Sequence, residues 1–216
     1  TASAGIISAG LLPPPGSNTN KTEEWDGTSW TEVNLMTVLR RGGSTSELGT
    51  TTATLYATGE SPTALSTACE DYDGTSWSAV NPVNTGREHS AGAGTLAAAL
   101  IMGGQTPVTD KTEKWNGTTW TEVNDLNEAK IDMGSAGTQA TAMVFGGNPP
   151  ATLANTESYD GTSWSQVADL ANGRNDLGGA GTSDAALAYT GMTSPGAMST
   201  STEEWNDPSY TIKTVT

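Results

Sequence analysis

Five glutamates recur at one place in the sequence: Glu23, Glu70, Glu113, Glu157 and Glu203, each two residues before an aromatic. Four cations recur as well, Arg40, Arg87, Lys130 and Arg174, ten residues after a second aromatic. A ring of carboxylates can bind metal cations. With a basic residue available for nearly every glutamate, the simpler expectation is a Glu–cation contact repeated between neighbouring units. Two residues beyond three of those cations stand His89, Asp132 and Asp176. Gathered together, they could offer a hard ion such as calcium its oxygen ligands. They could also offer paired carboxylates for acid–base work on a glycan. The plainer reading is a solvated acidic rim.

Other chemistry is poorly supplied. Cys69 is the single cysteine and His89 the single histidine. They can make neither an intrachain disulfide nor the usual Cys/His zinc site. Cys69 takes the place that Thr22, Thr112, Thr156 and Thr202 hold in the other copies, which reads as a small strand residue. No Ser-His-Asp order or phosphate loop emerges. Asn20-Lys21-Thr22 and Asn116-Gly117-Thr118 are glycosylation sequons, and the second is also a turn dipeptide.

The elements that must position these side chains come from a repeat. Trp25-Asp26-Gly27-Thr28-Ser29-Trp30 returns from Tyr72, Trp115 and Tyr159, and in degraded form from Trp205, at spacings of 47, 43, 44 and 46 residues. A period of this length, built of short strands, predicts a β-propeller. In the third copy Ala97–Met102 is strand B, closed by Gly103-Gly104. Thr112–Trp115 is strand C, Thr119–Val123 strand D after the Asn116-Gly117 turn, and Lys130–Gly137 the small, Gly-rich strand A of the next copy. Strand B recurs over 2–9, 52–58, 141–145 and 185–189, each closed by Gly10, Gly59, Gly147 or Gly191. Strand A recurs near 42–49, 87–94, 130–137 and 174–181. The four residues Trp30, Trp77, Trp120 and Trp164 mark strand D.

The fold expected is therefore all-β: a five-bladed propeller of mostly four-stranded antiparallel blades. It forms one domain over residues 1–216, with repeats near 1–41, 42–86, 87–129, 130–173 and 174–216. One blade is incomplete, because A occurs four times while B, C and D occur five times. A fifth cation would fall near position 220, past the last residue. The chain, which also begins without Met, is expected to be trimmed or excised from something longer.

Composition narrows the partners. The formal net charge is −15, with nine Lys plus Arg and 34% hydrophobic residues. So few cations argue against nucleic acid and against an anionic membrane surface. No apolar run is long enough for a span. The thin core suits a repeat protein, whose units bury their faces on one another.

An apolar strand, a double glycine (Gly103-Gly104, Gly146-Gly147), Glu-x-Tyr/Trp-Asp and then Trp together resemble the kelch repeat over nearly the whole chain. The Trp follows the Asp sooner than in kelch (Asp26 to Trp30), so the C–D hairpin is tighter. A kelch-type copper oxidase would need Tyr, His and a Tyr–Cys crosslink, which one His and one Cys support poorly. Ser158 to Trp164 also resembles the Asp-box of sialidase-type propellers, itself a structural turn. The wording "DGTSWTEVN", "AGT" and "TEEW" resembles tandem repeats in structural or tail-associated proteins of marine tailed phages. That resemblance implies a virion or extracellular setting.

In an A-B-C-D blade the B–C and D–A loops share one face. The B–C segments 11–21, 60–68, 105–111, 148–155 and 192–201 differ in every copy and each contains proline. Varied loops on a rigid scaffold form a recognition surface. Asn18, Asn20, Gln105, Asn148 and Asn155 are its candidate ligand contacts. Tyr56 and Tyr189 could stack on sugars but lie in strand B, where core is the simpler place. The leading expectation is a non-enzymatic binding or structural module for a host-surface glycan or protein, without cofactor, calcium being the one candidate ion. Two alternatives stand beside it. One is a glycan hydrolase or lyase using the channel-mouth carboxylates; the other is an assembly scaffold, among virion proteins or elsewhere, completed by a partner's strand.

Overall fold

The computed structural model describes residues 4–13, 16–45, 49–105, 107–194 and 196–206. Every regular element among them is a strand, and the strands form a five-bladed β-propeller. The first blade holds β1 (Gly5–Leu11), β2 (Asn18–Trp25) and β3 (Trp30–Val33). The second holds β4 (Ser44–Thr45), β5 (Thr54–Ala57), β6 (Cys69–Tyr72) and β7 (Trp77–Val80). The third holds β8 (Ala91–Thr95), β9 (Ala98–Met102), β10 (Thr112–Trp115) and β11 (Trp120–Val123). The fourth holds β12 (Gly134–Gly137), β13 (Ala142–Phe145), β14 (Thr156–Tyr159) and β15 (Trp164–Val167). The fifth pairs β16 (Gly178–Gly181), β17 (Ala185–Tyr189) and β20 (Thr202–Asn206). Its B–C loop carries a small hairpin, β18 (Met192–Thr193) and β19 (Ala197–Met198). All pairings are antiparallel, and the inner strands run in the order β4, β8, β12, β16 around the axis.

Residue size sets this radial order. A Cβ on Gly92 would lie 2.2 Å from the Thr45 carbonyl oxygen, and one on Gly179 2.0 Å from that of Ser135. Inner strands approach so closely that backbone meets backbone, and larger residues are pushed outward. The aromatics sit there. Trp120 packs on Leu55, Ala57, Cys69 and Val83 of the preceding blade, and Trp164 on Leu100, Met102 and Leu126 of its own predecessor. The second, third and fourth blades thus each insert the strand-D tryptophan into the blade before, Trp77 donating its indole N–H to Thr22 Oγ1 at 2.9 Å. Burial at this scale contributes about 1.5–3 kcal/mol per large side chain. The pairs Tyr72–Trp77, Trp115–Trp120 and Tyr159–Trp164, with ring centroids 5.1, 5.3 and 4.9 Å apart, add to it. Cys69 is a core residue, and burial pushes its thiol pKa up to about 11.

Several expectations need correction. Strand A starts later than position 87, 130 or 174, because His89, Asp132 and Asp176 take positive φ (57°, 54° and 51°) and interrupt extended backbone. Strand C of the first blade begins at Asn18 rather than after Lys21. β1 passes a bulge between Ser8 and Gly10 and goes on to pair Gly10 with Thr19 and Leu11 with Asn18. The C–D connection is not a two-residue turn. Trp115 pairs directly with Trp120, leaving Asn116–Thr119 as a four-residue loop. Tyr56 is core, as the simpler reading has it, whereas Tyr189 departs from that reading and is 39% exposed. β1 has no inner neighbour among the described residues. The expected strand D of the fifth copy lies outside them.

Candidate functional site: the loop face and channel mouth

The repeated charges fasten blade to blade. Arg40 Nη2 donates to Glu70 Oε1 at 2.6 Å, Arg87 Nη2 to Glu113 Oε1 at 2.9 Å, and Arg174 Nη2 to Glu203 Oε1 at 2.6 Å. Lys130 Nζ stands 2.9 Å from Glu157 Oε1, a charge contact without hydrogen-bond alignment, and donates to Asn155 Oδ1 at 3.1 Å. Arg40, Arg87, Lys130, Glu70, Glu113 and Glu157 are fully buried, so each charge depends on its partner. The second carboxylate oxygen takes backbone N–H from the D–A loop: Thr37 to Glu70, Asn84 to Glu113, Asn127 to Glu157, Ala171 to Glu203. Asn84 and Asn127 add their side-chain amides at 2.7 and 2.8 Å. These are scaffold contacts, and they leave four of the five repeated glutamates unavailable to a metal. Glu23, the fifth, has no ion pair among the described residues.

The buried cations hold the D–A loops over the channel. Beyond them runs a chain of backbone bonds: His89 N–H to Gly42 C=O (2.7 Å), Asp132 N–H to His89 C=O (3.1 Å), Asp176 N–H to Asp132 C=O (2.8 Å). This collar brings His89, Asp132 and Asp176 to one mouth, as their spacing suggests. His89 Nδ1 lies 2.6 Å from Asp132 Oδ1. That hydrogen bond, with the carboxylate charge, raises the His89 pKa above its ordinary value. Burial beside Asp132 raises the Asp176 carboxyl. Among the described residues no group of three or more His, Cys, Asp or Glu side chains is arranged to hold a metal ion. The mouth leads into an axial cavity of about 270 Å³ lined mostly by Ser, Gly and Ala in and beside the inner strands, with Thr45, Met133, Leu177 and Tyr189.

Around this mouth lie the B–C loops. Gln105 and Asn148 stand at backbone bridges to Glu88 and Ile131, so both are pinned beside the collar. The other three expected ligand contacts are engaged within the fold. Asn18 Nδ2 donates to Glu60 C=O (2.7 Å), Asn20 Nδ2 to Met36 C=O (2.8 Å), and Asn155 Nδ2 to Glu128 Oε2 (2.7 Å). Asn18 and Asn20 sit in β2 rather than in a loop.

The opposite face repeats one device. Asp26, Asp73, Asn116 and Asp160 each accept two backbone N–H groups of their own turn at 2.8–2.9 Å. Those bonds lower the pKa values of the three aspartates. Asn34, Asn81 and Asn124 then donate to Thr75, Thr118 and Thr162 carbonyls of the next blade at 2.6–2.8 Å. Sequence reasoning missed these asparagines. Their signal is an Asn four residues after Trp30, Trp77 and Trp120; Ala168 breaks it after Trp164.

No protein-family model matches the chain, and no curated protein sequence is significantly similar to it. Among solved structures, that of YjhT superposes with a TM-score of 0.79, covering 95% of this chain and 79% of its own, at 11% identity. At that identity the likeness is one of fold: this chain shares the β-propeller architecture of YjhT.

Proposed function

We propose that the chain is a non-enzymatic binding module whose ligand face is the B–C loop side around the collar, and that it takes a host-surface glycan or protein. The observation that carries this reading is the contrast between the two faces. One repeats the same Asp/Asn-fixed turn four times, while the other gathers five unlike loops around a polar mouth. Gln105, Asn148, His89, Asp132 and Asp176 are polar groups at that mouth, and Tyr189 lines the channel below it. The phage-like wording of the repeats supports a virion or extracellular setting. The test is a glycan array probed with the purified chain, with and without calcium, beside a variant whose 105–111 and 148–155 loops are replaced by Gly/Ser. Selective binding lost in the variant is expected. Unchanged binding in the variant refutes the site.

A second reading is acid–base chemistry on a glycan. It is favoured by Asp176, whose carboxyl is raised by burial beside Asp132, so that the two carboxyls differ in environment. Turnover of a glycan panel that disappears in Asp132→Ala/Asp176→Ala would establish it, and no turnover by the wild-type chain would sink it.

A further inference from the structure

The first blade departs from the others in four related ways. β5, β9, β13 and β17 each pair with an inner strand, whereas β1 pairs only with β2 among the described residues. Gly10 N–H donates to the Arg40 carbonyl at 3.0 Å, but the inward N–H and C=O groups of Gly5–Ser8 have no strand beside them among the described residues and form an open sheet edge. Beside that edge lies a cavity of about 520 Å³, bounded by Gly5–Ser8 on one side and by Gly42, Gly43 and Thr45 of the second blade on the other. This is the position an inner strand holds in every other blade.

The third departure is electrostatic. Glu23 stands opposite Ile7 in the same register that places Glu70 opposite Tyr56, Glu113 opposite Ile101, Glu157 opposite Val144 and Glu203 opposite Ala188. Those four carboxylates each hold a cation from the loop that leads into an inner strand. Glu23 holds none among the described residues. The fourth lies in the collar, where each blade's positive-φ residue donates its N–H to the carbonyl of the blade before. Gly42, the second blade's member, finds no such carbonyl among the described residues. Among the described residues, edge, cavity, carboxylate and N–H all lack what one segment type supplies in the other blades.

We infer that the inner edge of the first blade is an acceptor groove for a β-strand of this repeat's own inner type. Such a strand carries Arg or Lys, three residues, then a run of Gly, Ala or Ser, as in Lys130–Gly137. It is delivered by a further repeat unit. Its cation pairs with Glu23, its strand adds to β1, and its carbonyl two residues past the cation accepts from Gly42 N–H. Small residues are required, because an inner strand in this place runs beside Ser44 and Thr45 as closely as Gly92 does on their other side. Main-chain pairing supplies affinity, and the buried charge supplies register. This deepens the expectation of a scaffold completed by a strand and is independent of what the loop face binds.

The test uses the full chain and a synthetic peptide of the sequence of residues 130–137, Lys-Ile-Asp-Met-Gly-Ser-Ala-Gly, with titration calorimetry and hydrogen exchange as readouts. Binding is expected, together with at least tenfold slower exchange in Gly5–Ser8. Glu23→Gln should keep the fold and weaken the peptide at least tenfold, and so should replacing the peptide's lysine by alanine. No binding by the wild-type chain overturns the proposal. Equal binding of a scrambled peptide also overturns it, as does β1 protection by self-association without any peptide. Glycan binding measured on the same sample separates failure here from failure of the loop-face reading.

Discussion

Glu113→Gln is the sharpest test of how the ring is held together. The Glu113 carboxylate accepts from Arg87 Nη2 at 2.9 Å and from Asn84 N and Nδ2 at 2.8 and 2.7 Å, and both charged side chains are buried. Burial already depresses the Arg87 pKa, and Arg87 Nε and Nη1 have no hydrogen-bond partner among the described residues. The substitution keeps shape but removes the countercharge, leaving a desolvated guanidinium uncompensated. Breaking a buried pair in this way costs about 3–5 kcal/mol. The amide oxygen that remains to Asn84 places the expectation near the lower end, about 3 kcal/mol. With a urea slope of about 2 kcal/mol per M, the unfolding midpoint falls by about 1.5 M. The control is internal. Glu23→Gln changes the same motif position with no cation facing it, and should move stability by less than about 0.5 kcal/mol. Replacing the pair by Arg87→Met/Glu113→Leu should recover most of the loss, since a packed apolar pair avoids the desolvation cost. Equal losses at Glu23 and Glu113, or a loss below about 1 kcal/mol at Glu113, would refute the reasoning.

Three further expectations follow the same geometry. Trp120→Ala should cost about 3–5 kcal/mol in urea unfolding, because Trp120 is 6% exposed between two blades, while Trp30→Ala, at 48% exposure, should cost far less. Proton NMR titration should find the His89 pKa above the ordinary value and moved down by Asp132→Asn. His89 gains its stabilisation when charged, so that contribution is full below the unfolded-state pKa and is lost as pH rises through the folded one. The turn aspartates carry the opposite sign. Asp26, Asp73 and Asp160 have lowered pKa values, so their contribution is full above the unfolded-state pKa and disappears as pH falls through the folded values. Changing all three to Asn, the residue nature uses at 116, should make thermal stability less sensitive to acid.

Most of the scaffold is legible in the sequence because its parts recur at matching offsets. A buried carboxylate needs a countercharge, so Glu113 and Arg87 return as a set in four copies, and their pairing can be read without coordinates. The acid–amide turn is legible for the same reason. The ties made by Asn34, Asn81 and Asn124 are not, since their partners are backbone carbonyls and a loop asparagine looks the same whether bound or free. Nor do side-chain identities at positions 42, 89, 132 and 176 (Gly, His, Asp, Asp) announce that all four share one backbone conformation in a single collar. The candidate ligand residues mislead for a third reason. Asn18 and Asn20 look like loop residues until the bulge after Ser8 carries β1 far enough to pair with them.

The collar has a consequence for how such a chain can diversify. Its four members are joined by main-chain bonds, from Asp176 to Asp132 to His89 to Gly42, so the four side chains can change without altering this part of the aperture. Positive φ restricts the alphabet to glycine and short polar residues such as Asp, Asn and His. Duplication and drift of a single repeat would therefore keep producing the same opening with a new set of charges around it. Ligand preference could then be rewritten one letter at a time while the diameter stays constant.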